Sequence, residues 1–147
     1  MSKIPILVCG RNPIVAKGVR EGMVPEYDVI HICLDPAKAV TEVPLILSGG
    51  TPSNHKDNLG SQNYTRVPIA IAAGGGYSNE QFDAVKKAAD ENKDAMKVVW
   101  LRADMSKVAG PPKEGEYDAY AKKTAGRVKD WLKNENLEGK EGGVYYF

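Results

Sequence analysis

The chain has 147 residues, 42% of them apolar and 27% charged, which fits one globular domain and excludes a chain disordered throughout. Its 20 basic and 19 acidic residues are mixed along the sequence and leave a net charge of +1, so composition gives no footing to a broad nucleic-acid-binding face. No apolar run reaches the ~18 residues of a membrane span, no secretory leader pattern follows the opening Met-Ser-Lys-Ile-Pro, and two cysteines make no disulfide framework; the expectation is a cytoplasmic single domain over residues 1–147 with no membrane contact.

In chain order, Ile4 to Cys9 is a short apolar run ended by Gly10, the pattern of a parallel strand buried on both faces. From Ile14 to Met23 apolar and small residues recur at helical spacing, with Asn12 placed to cap and Pro13 in the first turn. Gly18 and Gly22 fall on one face of that helix, where they are expected to allow close approach to a sheet. A second strand is read from Tyr27 to Leu34, with Val29, His31 and Cys33 on one face. Asp35-Pro36 ends it and opens a short helix, Ala37 to Val43, interrupted by Pro44. Residues Ser48 to Arg66 are polar and read as a mobile loop, a lid or an insertion near the site.

Val67 to Ala73 reads as the third strand, followed by Gly74-Gly75-Gly76. Ser78 or Asn79 can cap a helix that carries Phe82, Val85, Ala88 and Ala89. Met96 to Leu101 is a fourth strand, Val108 to Gly115 a loop around Gly110-Pro111-Pro112, and Glu116 to Lys133 the clearest helix. The tail Gly-Gly-Val-Tyr-Tyr-Phe is a last strand or a docking segment. Strands alternating with helices give βαβ units, a mostly parallel sheet and right-handed crossovers. The expected fold is therefore α/β: a three-layer Rossmann-like or flavodoxin-like sheet of four or five strands, in the order 2-1-3-4, with the tail able to add an edge.

In such a sheet ligands bind beyond the carboxyl ends of the strands, near the switch point between the first and third. Gly10-Arg11-Asn12 stands there, where amides at a helix start and the Arg11 guanidinium suit a phosphate. Asp35 follows the second strand, placed either to bond a ribose hydroxyl or to cap the next helix. Gly74, Gly75 and Gly76 allow a ligand to approach the backbone after the third strand. The expected ligand is a nucleotide or other phosphate-bearing metabolite, with NAD(P) favoured.

Ile4–Gly10, Asp35, Ala72–Gly76 and the run Val98 to Asp104 resemble small fungal proteins of the NAD(P)-binding Rossmann type. More distantly they resemble the NmrA-like branch of atypical short-chain dehydrogenases, in which a strand ending Leu-Arg-Pro follows a helix; Trp100-Leu101-Arg102-Ala103 is similar. The resemblance implies a nucleotide-binding ancestry. The reductase pair Tyr-x-x-x-Lys is missing: Tyr77 is followed at that spacing by Gln81, Tyr117 by Ala121 and Tyr120 by Thr124.

Other residues that can carry chemistry are few. Cys9 at a strand end reads as a buried small hydrophobe or, alternatively, as a phosphocysteine. His31 reads as a buried, hydrogen-bonded histidine, and His55 as a loop residue able to serve as a mobile acid or base. Two histidines and two cysteines show no zinc spacing. Three functional classes remain open: a nucleotide-binding domain, a non-catalytic interaction protein that keeps the fold, and an isomerase, cyclase or hydrolase drawing on the Ser48–Arg66 loop. The aromatic tail Val144 to Phe147 is expected either to pair two copies into a homodimer or to dock on its own chain.

Overall fold

A computed structural model describes residues 3–108 and 110–147; Met1 and Ser2 of the opening segment and Ala109 of the proline-containing loop lie outside the described residues. The strands are β1 (Ile4–Cys9), β2 (Tyr27–Cys33), β3 (Ala70–Ala73), β4 (Val99–Arg102) and β5 (Val144–Tyr146). They form one sheet in the order β2-β1-β3-β4-β5, every pair parallel. This is the expected order with the tail added as an edge.

The helices are α1 (Pro13–Met23), α2 (Pro36–Leu47), α3 (Asn79–Glu91) and α4 (Tyr117–Asn134). Strand residues alternate between two apolar layers because successive side chains point to opposite faces. Ile6 and Val8 pack with α1 and α4, while Leu7 and Cys9 pack with α2 and α3. Both faces are thus covered, which is what the near-continuous apolar strands demand.

Gly18 and Gly22 serve a helix, not the sheet. A Cβ on Gly18 would lie 2.6 Å from the Ala121 Cβ, and one on Gly22 2.7 Å from that of Ala125. The small residues of α1 and α4 interlock, and both helices pack on the same face of the sheet. α2 also departs from its reading, since it runs through Pro44 to Leu47. Pro44 removes one helical hydrogen bond, but Val43, Pro44, Ile46 and Leu47 are all buried, so packing overrides the local penalty. Ser48 closes the helix, its hydroxyl donating to the Pro44 carbonyl at 2.7 Å.

The face reading of β2 changes for a definite reason. The β1–β2 register shifts between Ile6 and Leu7, so Ile6 stands opposite Val29 while Leu7 stands opposite His31. This bulge turns His31 and Cys33 toward α2 and leaves Val29 in the opposite layer.

The Ser48–Arg66 segment is an ordered cover on the β2 edge. Asn58 Oδ1 accepts from the Ile32 amide at 2.9 Å and Asn58 Nδ2 donates to the Ile32 carbonyl at 2.7 Å. The Ser61 and Gln62 amides donate to Val29 and Ile30, each at 2.9 Å. Gly60 fits because a Cβ there would sit 2.5 Å from the Ile30 carbonyl. An edge strand that would otherwise present free backbone groups is thereby protected.

The other three strands are trimmed or joined as their neighbours dictate. β3 begins at Ala70 rather than Val67, after Pro68, and β4 at Val99 rather than Met96, whose side chain is exposed. The tail docks on its own chain: β5 pairs with β4, and Phe147 is buried in the α1/α4 layer.

Candidate functional site

A cavity of about 380 Å³ opens at the carboxyl ends of β1 and β3, on the α1/α4 side of the sheet. Gly10, Arg11 and Asn12 form one wall, and Gly74, Gly75 and Gly76 another. The two glycine loops read from sequence therefore meet at one place. Much of the rest is apolar, including Val15, Val19, Ala72, Val128 and Phe147, with Met105, Pro111 and Pro112 at the opening turn.

The start of α1 does not offer amides to a phosphate. Pro13 has no N–H, and the Ile14 and Val15 amides both donate to Asn12 Oδ1, at 2.9 and 3.2 Å. The next amide, of Ala16, donates to the Asn12 carbonyl at 2.9 Å. Asn12 thus consumes the donors that a phosphate would need. Charge for an anion has to come from side chains and from the Gly74–Gly76 loop.

Arg127 supplies it. It projects from α4 into the cavity wall, and its Nε and Nη2 are buried without a hydrogen-bond partner among the described residues. Its guanidinium lies 5.6 Å from the centre of the Phe147 ring, which holds the head in place by a cation–π contact. Sequence reading passed over Arg127, although Tyr120, Thr124 and Arg127 share one face of α4 at spacings of four and three, and all three line the cavity. Tyr120 has Thr124 where a reductase would have lysine, and the Thr124 hydroxyl donates to the Tyr120 carbonyl at 2.9 Å.

The glycine loop is held from below by Arg102. Its Nη1 donates to Asn79 Oδ1 at 2.6 Å and its Nη2 to the Tyr77 carbonyl at 3.2 Å, with the guanidinium 4.5 Å from the Phe82 ring. Tyr77 itself is buried and donates to the Cys33 carbonyl at 2.8 Å; burial pushes its hydroxyl pKa up. Gly75 and Gly76 sit close to side chains, since a Cβ would fall 2.7 Å from Met105 Sδ and 3.0 Å from Arg11 Cγ; the half-exposed Met105 can shift to make room. At Gly74 the nearest atom would be the Cys9 carbonyl at 3.8 Å, ordinary contact.

The other sequence candidates lie elsewhere. Asp35 is outside the cavity wall; its Oδ1 caps α2 by accepting from the Ala37 amide at 2.9 Å. Cys9 borders the cavity at the strand end, but its side chain belongs to the α2/α3 layer and is buried. His55 Nδ1 donates to the Pro52 carbonyl at 2.9 Å, with the ring edge-on to Tyr64, and no residue from 48 to 66 lines the cavity.

His31 is buried and engaged, as read. The Glu42 carboxylate, 3.2 Å from Nε2, can only accept, so Nε2 carries the proton and Nδ1 accepts from the Tyr64 hydroxyl at 2.7 Å. Burial pulls the His31 pKa down and outweighs the opposing pull of Glu42. Burial, reinforced by the Glu42 charge, pushes Tyr64 up to about 12.

Kojic acid related protein 6 of Aspergillus oryzae is 35% identical to the chain over 142 residues, which cover 94% of this chain and 84% of that protein. No family model matches the chain, and no solved structure matches it.

Proposed function

The chain belongs to the family of Kojic acid related protein 6, and within that family we propose that it is a binding domain for a phosphate-bearing metabolite of the nucleotide class, with NAD(P) the favoured cofactor, seated in the cavity at the ends of β1 and β3. The observation that carries this reading is Arg127, which lines the cavity and whose Nε and Nη2 are buried without a partner among the described residues. Buried N–H donors without an acceptor are costly, and an anion that pairs with them relieves the cost. Arg11 also lines the cavity, so both cations are available to an anionic group there.

The apolar remainder of the cavity suits a ring, and its volume lies at the small end of ligand sites. A longer ligand would have to run toward β2 for Asp35, which lies outside the cavity wall, to meet a ribose. Binding rather than hydride transfer is the role that fits the residues, because Tyr120 has Thr124 where the reductase pair would place lysine. The competing reading, an interaction protein with no small ligand, leaves the buried Arg127 N–H donors to water or to a protein partner.

Melting temperature across a panel of NADH, NADPH, AMP, inorganic phosphate and kojic acid separates the two. A ligand present at a hundred times its Kd is expected to raise the melting temperature by about 5–10 °C, and Arg127→Met is expected to abolish the rise. No rise with any member, or an equal rise in Arg127→Met, would overturn the proposal.

A further inference from the structure

On the opposite face of the sheet, three unlike donors converge where β2 meets α2. His31 Nε2 lies 3.2 Å from Glu42 Oε1, and Cys33 Sγ lies 4.0 Å from the same oxygen. All three donor atoms fall within 4.8 Å of one another. Donors bound to one tetrahedral ion at ordinary zinc distances are about 3.3–3.8 Å apart, so small side-chain shifts close the set around a single centre. His31 and Cys33 are 1% and 2% exposed, while the Glu42 side chain is 21% exposed and leaves a path from solvent.

We propose that His31, Cys33 and Glu42 bind one divalent ion of the zinc class, with a water as the fourth ligand. One nitrogen, one sulfur and one carboxylate oxygen suit a borderline ion and disfavour calcium or magnesium, which take oxygen. Tyr64 supplies the orienting partner that metal-bound histidines require. Without the ion the Tyr64 hydroxyl donates to Nδ1. With it, the imidazole proton moves from Nε2 to Nδ1 and is donated to the Tyr64 oxygen, which a hydroxyl can also accept. The Cys33 thiol gives up its proton to solvent, so one proton is released for each ion bound. The bulge in β2 makes the site: without it His31 would face the other layer. Nothing here depends on the cavity, which lies on the α1/α4 side.

The full chain, reduced, stripped with a chelator and desalted, is titrated with cobalt(II) as the probe. The expected result is saturation at one equivalent, with the visible bands of four-coordinate cobalt and a thiolate charge-transfer band in the near ultraviolet. Cys33→Ser removes the charge-transfer band and Cys9→Ser keeps it. Glu42→Gln, isosteric and at a position 21% exposed, is expected to keep the fold by circular dichroism and to weaken binding by about tenfold or more, and this variant decides the matter should Cys33→Ser fail to fold. A wild-type titration with no thiolate band, a band that survives Cys33→Ser, or unchanged affinity in Glu42→Gln would overturn the proposal.

Discussion

At the scale of single residues, the cavity puts one group in an unusual position. Arg127 keeps buried N–H groups unmatched among the described residues, with its guanidinium 5.6 Å from the centre of the Phe147 ring. Replacing it with methionine keeps the packing and removes the unmatched donors. Arg127→Met is therefore expected to unfold at the same temperature as the unliganded wild type or slightly above it, while losing ligand binding. A melting temperature several degrees lower would instead mark Arg127 as a structural element. Gly74 gives a complementary expectation. An alanine Cβ meets only ordinary contact in the protein, so Gly74→Ala should change stability by no more than about 0.5 kcal/mol but weaken any ligand that packs on the backbone there. Denaturant melts and calorimetry read the two effects separately. Neither residue was equally legible from sequence: a glycine run after a strand announces itself, whereas an arginine on an amphipathic helix looks like the solvated side until α4 is laid against the sheet.

Among the elements, the contact between α1 and α4 sets the width of the cavity. Alanine at Gly18 or Gly22 gains about 1 kcal/mol of helix propensity but drives a methyl to within 2.6 or 2.7 Å of an alanine on α4. The clash is expected to win, with a net loss of about 1–3 kcal/mol in urea unfolding for either variant; a stabilised variant would mean that α4 can move outward at little cost. The same pair of helices is tied at its far end by Glu26, which pairs with Lys129 at 2.8 Å and with Lys133. These partners, Lys129 first, hold the Glu26 carboxyl down to about 2. A depressed folded-state pKa contributes stability that is present above the unfolded value near 4.5 and fades as pH falls toward 2. The stability difference between wild type and Glu26→Gln should accordingly shrink across that window, and a difference constant from pH 7 to pH 2 would refute the pairing.

Element boundaries show where local sequence stops being informative. The spacing of Gly18 and Gly22 announced a close approach, but a glycine face does not say whether a sheet or a helix comes near. Pro44 looked like a stop because its cost is local, while the burial that carries α2 on to Leu47 is tertiary. His31, Cys33 and Glu42 lie on two elements and have no ligand spacing in sequence; only the register shift in β2 brings them together.

For the molecule as a whole, alternating strand and helix signals were enough to read the parallel α/β sheet and its order, because right-handed crossovers leave few arrangements. Among the described residues no helix is long and apolar enough to cross a membrane. The two sheet edges are unequal. The Asn58–Gln62 stretch covers β2, whereas β5 is a short edge carrying an exposed Tyr146. If two copies of the chain join, pairing along β5 is the route this leaves. Sedimentation at about 100 µM should then give a dimer mass that Tyr146→Asp converts to monomer, and a monomeric wild type would reject the pairing.

The most direct test of the binding role is an NMR titration of the isotope-labelled chain with NADPH, NADH and AMP. Saturable shifts are expected at the amides of Arg11, Gly74, Gly75 and Gly76 and, above all, at the Arg127 Nε–H, which gains its missing acceptor. Shifts confined to other surfaces, or an Arg127 Nε–H that stays fixed while ligand binds, would contradict the assignment of the cavity as a phosphate-bearing ligand's site.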